Sequence, residues 1–179
     1  MKYSLVLLSM GVIGCSPVEP VDALVSLGAR IARDEQGEVD FVDLNGDLVF
    51  DDATGNLLRI ESRVTDGGLV HLSGLIHLRE LRLSHTRIGD RGLVHLANLI
   101  HLEVLQLTAT QVSDAGLLHL GGMAQLQTLD LSETNITSAG LAHLVGLTRL
   151  QHLDLRDTRI TAADIADFRQ LLPGCQVRN

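Results

Sequence analysis

Aromatic side chains are nearly missing from this 179-residue chain. Tyr3, Phe41, Phe50 and Phe168 are all of them, and there is no tryptophan. Stacking platforms for single-stranded nucleic acid and aromatic floors for sugars therefore have almost nothing to be built from. Lysine is scarcer still: Lys2 stands alone beside 13 arginines, which excludes a Schiff-base or phosphate-loop lysine beyond residue 2. Only Cys15 and Cys175 are present, too few for a disulfide framework once Cys15 has another use. A net charge of −8 argues further against a phosphate backbone as partner.

Leucine is what the chain has in excess, with 35 residues, about a fifth of the total. A core rich in leucine and poor in aromatics predicts many small, equivalent layers. The length suits one domain or at most two. The charge is uneven: residues 16–66 carry 12 acids and 4 arginines, whereas 78–179 carry 10 acids and 9 arginines. The acidity belongs to an N-terminal segment, and the remainder is close to neutral.

Met1 to Ser4 reads as a short n-region with one lysine, and Leu5 to Ile13 as an apolar stretch. That stretch falls short of the roughly 20 residues a membrane-spanning helix needs, but suits a signal-peptide core. Val12-Ile13-Gly14-Cys15 follows, and it resembles the lipobox of bacterial lipoproteins. The resemblance implies a signal peptide over 1–14 and lipidation of Cys15. It also implies export and lipid anchoring at a bacterial cell envelope. Residues 15–20 then form a tether that, at about 3 Å per residue, reaches only about 20 Å.

From residue 78 the sequence repeats every 24 positions. Leu78, Leu102, Leu126 and Leu150 open four units; Leu81, Leu105, Leu129 and Leu153 follow, then Leu83, Leu107, Leu131 and Leu155. Thr86, Thr110, Thr134 and Thr158 form the next column, and Ile88, Val112, Ile136 and Ile160 the one after. Leu81-Arg82-Leu83 alternates as a strand does, while Leu93, Leu96 and Leu99 have helical spacing, entered through Asp90 as a helix cap. A unit of this size cannot bury its leucines alone, so the pattern predicts a solenoid of stacked coils.

The motif L-x-x-L-x-L-x-x-T-x-I-x-D-x-G-L over Leu78–Leu93 resembles a leucine-rich repeat. Its Asp90-x-Gly92-Leu93 tail is similar to the cysteine-containing subclass found in F-box proteins and many bacterial repeat proteins. The resemblance spans residues 57–179 and implies an α/β solenoid with parallel strands on a concave face and helices on a convex one. Threonine stands where that subclass has Cys or Asn; its hydroxyl is expected to reach the backbone of the neighbouring coil. Leu58-Arg59-Ile60 reads as an earlier repeat strand, and Val42-Asp43-Leu44 as a further one in an acidic cap over 21–56. Residues 21–35 read as an N-terminal capping helix. Pro173 to Val177 begins a last, truncated strand, and the array reads as short and complete.

Several clusters invite chemistry. His71, His95, His119 and His143 form one column; metal ligation and hydrogen bonding between helices compete as readings, and the column lacks the acids or cysteines that would complete a zinc site. Asp43, Asn45, Asp47 and Asp51 have the oxygen spacing of a calcium loop with Phe50 at its apolar position. Leu48 replaces the glycine of the turn, and Thr54 stands where the bidentate acid belongs. Asp130 and Asp154, one strand apart, form a candidate carboxylate pair beside Arg156 and Arg159. No nucleophile elbow, zinc-protease motif or phosphate loop occurs.

The strand face remains. Its outward columns are Glu80, Val104, Thr128 and His152; Arg82, Gln106, Asp130 and Asp154; and Ser84, Thr108, Ser132 and Arg156. In the family it resembles, this concave face is the usual binding surface. Its earlier end carries Arg79, Arg82 and Arg87, and its later end Asp130, Glu133, Asp154 and Asp157, a polarity suited to orienting a partner. The expectation is a monomeric, non-catalytic protein-interaction module without metal or cofactor, binding a protein partner and no nucleic acid. The alternatives are a structural or calcium-responsive envelope protein and a hydrolytic enzyme.

Overall fold

Leu81, Leu105, Leu129 and Leu153 stand opposite one another on successive parallel strands, so the 24-residue period of the sequence is the period of the coils. A computed structural model of the chain describes residues 19–50 and 57–179, with 47–50 and 57–61 described by backbone alone. Its main sheet has seven strands. An edge strand β1 (Arg30–Arg33) runs antiparallel to β2 (Val39–Asp43). Five further strands continue the sheet in parallel: β5 (Glu80–Arg82), β6 (Val104–Gln106), β7 (Thr128–Asp130), β8 (His152–Asp154) and β9 (Gln176–Arg178). The middle residue of each three-residue strand points inward and is buried. One such leucine contributes about 1.5–3 kcal/mol through burial, and the stack repeats this coil after coil.

Each coil turns out of its strand through a residue in the left-handed region: His85, Ala109, Glu133 and Asp157, with φ of 58°, 54°, 56° and 56°. That conformation costs a non-glycine residue about 1–2 kcal/mol. The threonine that follows helps hold it. Thr86 Oγ1 donates to the Leu83 carbonyl at 2.7 Å, Thr110 to Leu107 at 2.8 Å, and Thr158 to Leu155 at 2.6 Å. The hydroxyls thus stay within their own coil rather than reaching the neighbouring one. A threonine side chain is too short to do both.

The return half of each coil is a single helical turn: α2 (Asp90–Leu93), α3 (Asp114–Leu117) and α4 (Ser138–Leu141). Tight 3-10 turns occupy Asp66–Leu72, Val94–Leu96 and Ala142–Leu144. Leucines three apart, such as Leu93, Leu96 and Leu99, align on one edge of a 3-10 turn, which repeats every three residues. All three are buried. Asp90 is not the cap of its own helix; Gly89 holds that position. Asp90 instead reaches into the following coil, where Oδ1 accepts from Ser113 N at 2.7 Å and Oδ2 from Ser113 Oγ at 2.6 Å. Asp114 does the same toward Thr137, and Asp66 accepts from Gly89 N alone. A Cβ on Gly116 would stand 2.5 Å from Asp90 Oδ1, so the glycine column makes room for the aspartate column.

The two ends are closed differently. At the far end α5 (Ala162–Leu171) is the one full helix of the array. Thr161 and Asp164 form a reciprocal capping box at its start, and Ile165 and Phe168 are buried beneath it. Arg169 Nη2 donates to the Val177 carbonyl at 2.9 Å, covering part of the open edge of β9. At the near end the expected helix over 21–35 is shorter. It spans Pro20–Ser26 as α1 and stops where Gly28 takes φ 93°. Ile31 then lies on β1, and Asp34 Oδ1 accepts from Gln36 N and Glu38 N to make the turn into β2.

Leu58-Arg59-Ile60 is not a coil strand. It lies on β4 (Leu57–Glu61), which pairs antiparallel with β3 (Asp47–Phe50) in a separate two-stranded sheet. β2 pairs directly with β5, Val42 opposite Leu81. Those two residues are 39 positions apart, which exceeds one 24-residue period by 15, the length of 47–61. The hairpin is therefore an insertion at the corner between Gly46 and Ser62. Ser62 resumes the threonine column and Val64 the isoleucine column, the latter buried with the rest.

Candidate interaction face

The outward residues of the strands fall into two of the three expected columns, whereas Ser84 and Ser132 of the third are buried in the turns that follow β5 and β7. Glu80, Val104, Thr128 and His152 are successive partners, as are Arg82, Gln106, Asp130 and Asp154. Both rows extend further than the sequence reading took them. Phe41 and Asp43 precede them on β2, and Gln176 and Arg178 follow on β9. Counting 24 onward from His152 and Asp154 would have found the last two. Phe41 and Asp43 were hidden by the inserted hairpin.

The earlier end of the face is less basic than its arginines suggest, because two of the three, Arg79 and Arg82, bring their own acids. Arg82 donates through Nε to Glu80 Oε1 at 2.7 Å, with Nη2 2.5 Å from the same oxygen, and its guanidinium lies 5.1 Å from the centre of the Phe41 ring. Arg79 pairs with Glu103 at 3.3 Å. On β2, Asp43 is buried, bridges to Arg30 at 2.9 Å and accepts from Asn45 N at 3.1 Å. Asn45 Oδ1 in turn accepts from Ser84 N at 2.7 Å. Two of the four oxygens considered for a calcium loop are thus committed to the fold; Asp51 and Thr54 lie outside the described residues.

At the later end Asp130 and Asp154 stand on adjacent strands in register. Asp130 Oδ1 accepts from Ser132 N at 3.0 Å and Ser132 Oγ at 2.6 Å. Asp154 is held by Arg156 in a two-pronged bridge, Nε to Oδ1 at 2.9 Å and Nη2 to Oδ2 at 2.8 Å. Burial pushes the Asp154 carboxyl up, but the hydrogen bonds and charge of Arg156, with Arg178 further off, outweigh it and hold the group below its usual range. A general acid needs the opposite shift. A cavity of about 760 Å³ opens here, lined by Gln106, Thr128, Asp130, His152, Asp154, Gln176 and Arg178, with Arg169, Pro173 and Cys175 at its outer end. Burial pushes the Cys175 thiol up, so it is a packed side chain rather than a reactive one.

The histidine column lies on the other side of the molecule. His71, His95, His119 and His143 are each half-buried, and no hydrogen bond joins them among the described residues. The polar column beside them does make lateral contacts: the His77 and His101 rings stack with centroids 6.4 Å apart, and Arg149 donates to Gln125. Among the described residues no three His, Cys, Asp or Glu side chains converge as a metal cluster. Cys15 lies outside the described residues.

A parallel strand face, a short helical return and a buried leucine ladder define an α/β solenoid of leucine-rich repeats. The comparisons agree: residues 100–160 match a family model described as leucine rich repeat, and residues 74–97 match a second such model. The chain is similar in structure to internalin C2 from Listeria monocytogenes, with a TM-score of 0.58 and 21% identity over 90% of this chain and 62% of the internalin. A leucine-rich-repeat protein from Leptospira interrogans gives a TM-score of 0.49 at 25% identity, covering 62% of this chain and 27% of that one. The leucine-rich-repeat ectodomain of a receptor kinase from Arabidopsis thaliana gives 0.42 at 20% identity, covering 74% of each chain. The chain spans about a quarter of the Leptospira protein and under two thirds of internalin C2. No curated protein matches the sequence. Leucine-rich-repeat folds commonly serve as protein-interaction modules.

Proposed function

We propose that this protein is a non-catalytic interaction module, exported and lipid-anchored through Cys15 to a bacterial cell envelope, that binds a protein partner on its concave strand face. The observation that carries the reading is the in-register polar face itself. Glu80, Arg82, Val104, Gln106, Thr128, Asp130, His152 and Asp154 are presented by short strands in successive coils, and Arg156 by the turn that follows the last of these. The cavity at the later end adds a concave surface. Side chains on a rigid sheet are placed without the ordering cost that loops incur on binding. Their internal ion pairs give orientation and specificity more than affinity, and the arginines are the natural energetic centres in a face without tryptophan.

The test compares the partner captured from envelope extracts by the full chain and by the double charge reversal Arg82→Glu with Asp154→Arg. Gln36→Glu, in the β1–β2 turn, is the control. The face reading expects one partner to be lost on reversal and kept by the control. Equal capture by both variants refutes it. The anchor is tested separately by the intact mass of the mature N-terminus, where a Cys15 without lipid refutes it.

A further inference from the structure

All of the exposed large apolar side chains among the described residues lie on the helical half of the molecule. Val70, Val94 and Leu118 recur at the 24-residue period, and Ile76 and Ile100 form a second such row. Val94 and Leu118 are 50% and 59% exposed. Val25, on α1, adds to this surface where α1 packs against Asp66–Leu72. The strand face offers only half-buried apolar side chains, Phe41 and Val104, the first beneath the Arg82 guanidinium. Apolar surface exposed in repeating rows along one side and scarce on the other marks a contact surface.

The charge on this half is as selective as its hydrophobicity. Residues 67–77, 91–101, 115–125 and 139–149 contain no Asp or Glu, in a chain with 22 acids. They hold Arg91, Arg149 and six of the eight histidines. The acids sit in the N-terminal segment, on the strand side, in the inter-coil aspartate ladder or on α5. A strongly acidic protein is repelled by an anionic lipid surface unless it presents a stretch without acids. The helical returns of the coils are such a stretch, bounded by Asp22 on α1 and by Asp164 and Asp167 on α5, and they carry the exposed valines, isoleucines and leucine that suit shallow insertion among headgroups.

We infer that the helical face of the solenoid rests on an anionic lipid bilayer, with Val70, Val94, Leu118, Ile76 and Ile100 at the headgroup level and the strand face turned to the aqueous side. The inference rests on the lipid-anchor reading for proximity. Only four residues separate Cys15 from α1, a reach of about 15 Å, and α1 lies beside the first apolar row. A bilayer, rather than a second protein, is the occupant that this short reach brings to the face.

The full chain with its own processed N-terminus, reconstituted into phosphatidylcholine vesicles with about a quarter phosphatidylglycerol, tests this directly. A polarity-sensitive fluorophore is placed at Val94→Cys, Leu118→Cys or, on the strand face, Thr128→Cys, and quenched by nitroxide-bearing lipid. Quenching at 94 and 118 is expected to exceed that at 128 at least about twofold, and to vanish for an Ile100→Cys reporter when Val94→Glu and Leu118→Glu are added. Equal quenching, or more at 128, overturns the inference. A Val94 label already shielded before vesicles are added marks a second protein copy on this face and overturns it too. Each labelled variant must first melt as the parent does; if one of Val94→Cys and Leu118→Cys does not, Ile100→Cys takes its place. The N-terminal mass separates the two readings. Selective quenching without lipid on Cys15 keeps the face and sinks the anchor, whereas lipid on Cys15 without selective quenching does the reverse.

Discussion

Asp90 holds Ser113 of the next coil twice, one carboxylate oxygen accepting from the backbone N–H at 2.7 Å and the other from the hydroxyl at 2.6 Å. The N–H belongs to the N-cap residue of the following helix, a part-buried donor that the helix cannot satisfy itself. Asp90→Ala leaves both donors unpaired and is expected to destabilise the protein by about 1–3 kcal/mol. Asp90→Asn, which keeps one acceptor, should fall between. Urea midpoints at constant slope measure both; an Asp90→Ala midpoint equal to the parent's contradicts the ladder.

The partner of that clamp is a glycine. At Gly116 a new Cβ meets Asp90 Oδ1 at 2.5 Å and Leu93 Cδ1 at 3.0 Å, whereas at Gly122 nothing lies within 4 Å. Gly116→Ala is therefore expected to cost about 1–3 kcal/mol by overpacking, and Gly122→Ala to stay within about 0.5 kcal/mol of the parent. Thermal melting of the two variants side by side decides it. Similar losses at both positions would show that glycine content, not the clamp, sets the effect.

Thr110 tests the turn that each coil makes after its strand. Its hydroxyl is buried and donates to the Leu107 carbonyl at 2.8 Å. Thr110→Val keeps shape and removes the donor. The expected loss is about 1–2 kcal/mol, without change in the parallel-strand signature of the circular dichroism spectrum. A neutral substitution would mean that the left-handed turn at Ala109 needs no such support.

Acid should act through Asp154. Its carboxyl is held below the usual range by Arg156 against the opposing pull of burial. A group depressed on folding contributes stability that is complete above its unfolded value, about 4, and is lost as pH falls through the lower folded one. The stability gap between the parent and Asp154→Asn is accordingly widest near neutrality and closes below about pH 4. A gap that stays constant across that range would show the bridge to be energetically silent.

Most of this architecture was legible because leucine at a fixed period is both the sequence signal and the physical core. Leu81, Leu105, Leu129 and Leu153 had only one way to be buried together. What escaped the reading had local causes. Leu58-Arg59-Ile60 has the alternation of a coil strand, but its partner is the antiparallel Leu48–Phe50 backbone, and alternation does not tell one pairing from another. Ile31 matched helical spacing from Leu24 and Leu27, yet Gly28 ended the helix first. The left-handed turn positions carry His85, Ala109, Glu133 and Asp157, none of them glycine or asparagine, so nothing in the sequence marked them. On the candidate face the strand residues take the register their spacing implies, but Ser84 and Ser132 are buried rather than outward, and the charge balance differs from what the columns suggest. Arg79–Glu103 and Arg82–Glu80 neutralise one another, which column identities alone do not show.

Between Gly46 and Ser62 the chain leaves the stack and comes back without disturbing either neighbour. Leu44 N still donates to the Arg82 carbonyl at 2.8 Å, Gly46 N to Ser84 at 2.8 Å, and Val64 is buried in its column. This corner of the coil is a socket. Closing a longer detour there costs only about 0.6 kcal/mol for each doubling of its length. The equivalent corners after His85, Ala109 and Glu133 carry no insertion. The scaffold is thus open to grafting sideways, one segment per coil, as readily as it is to lengthening by further coils.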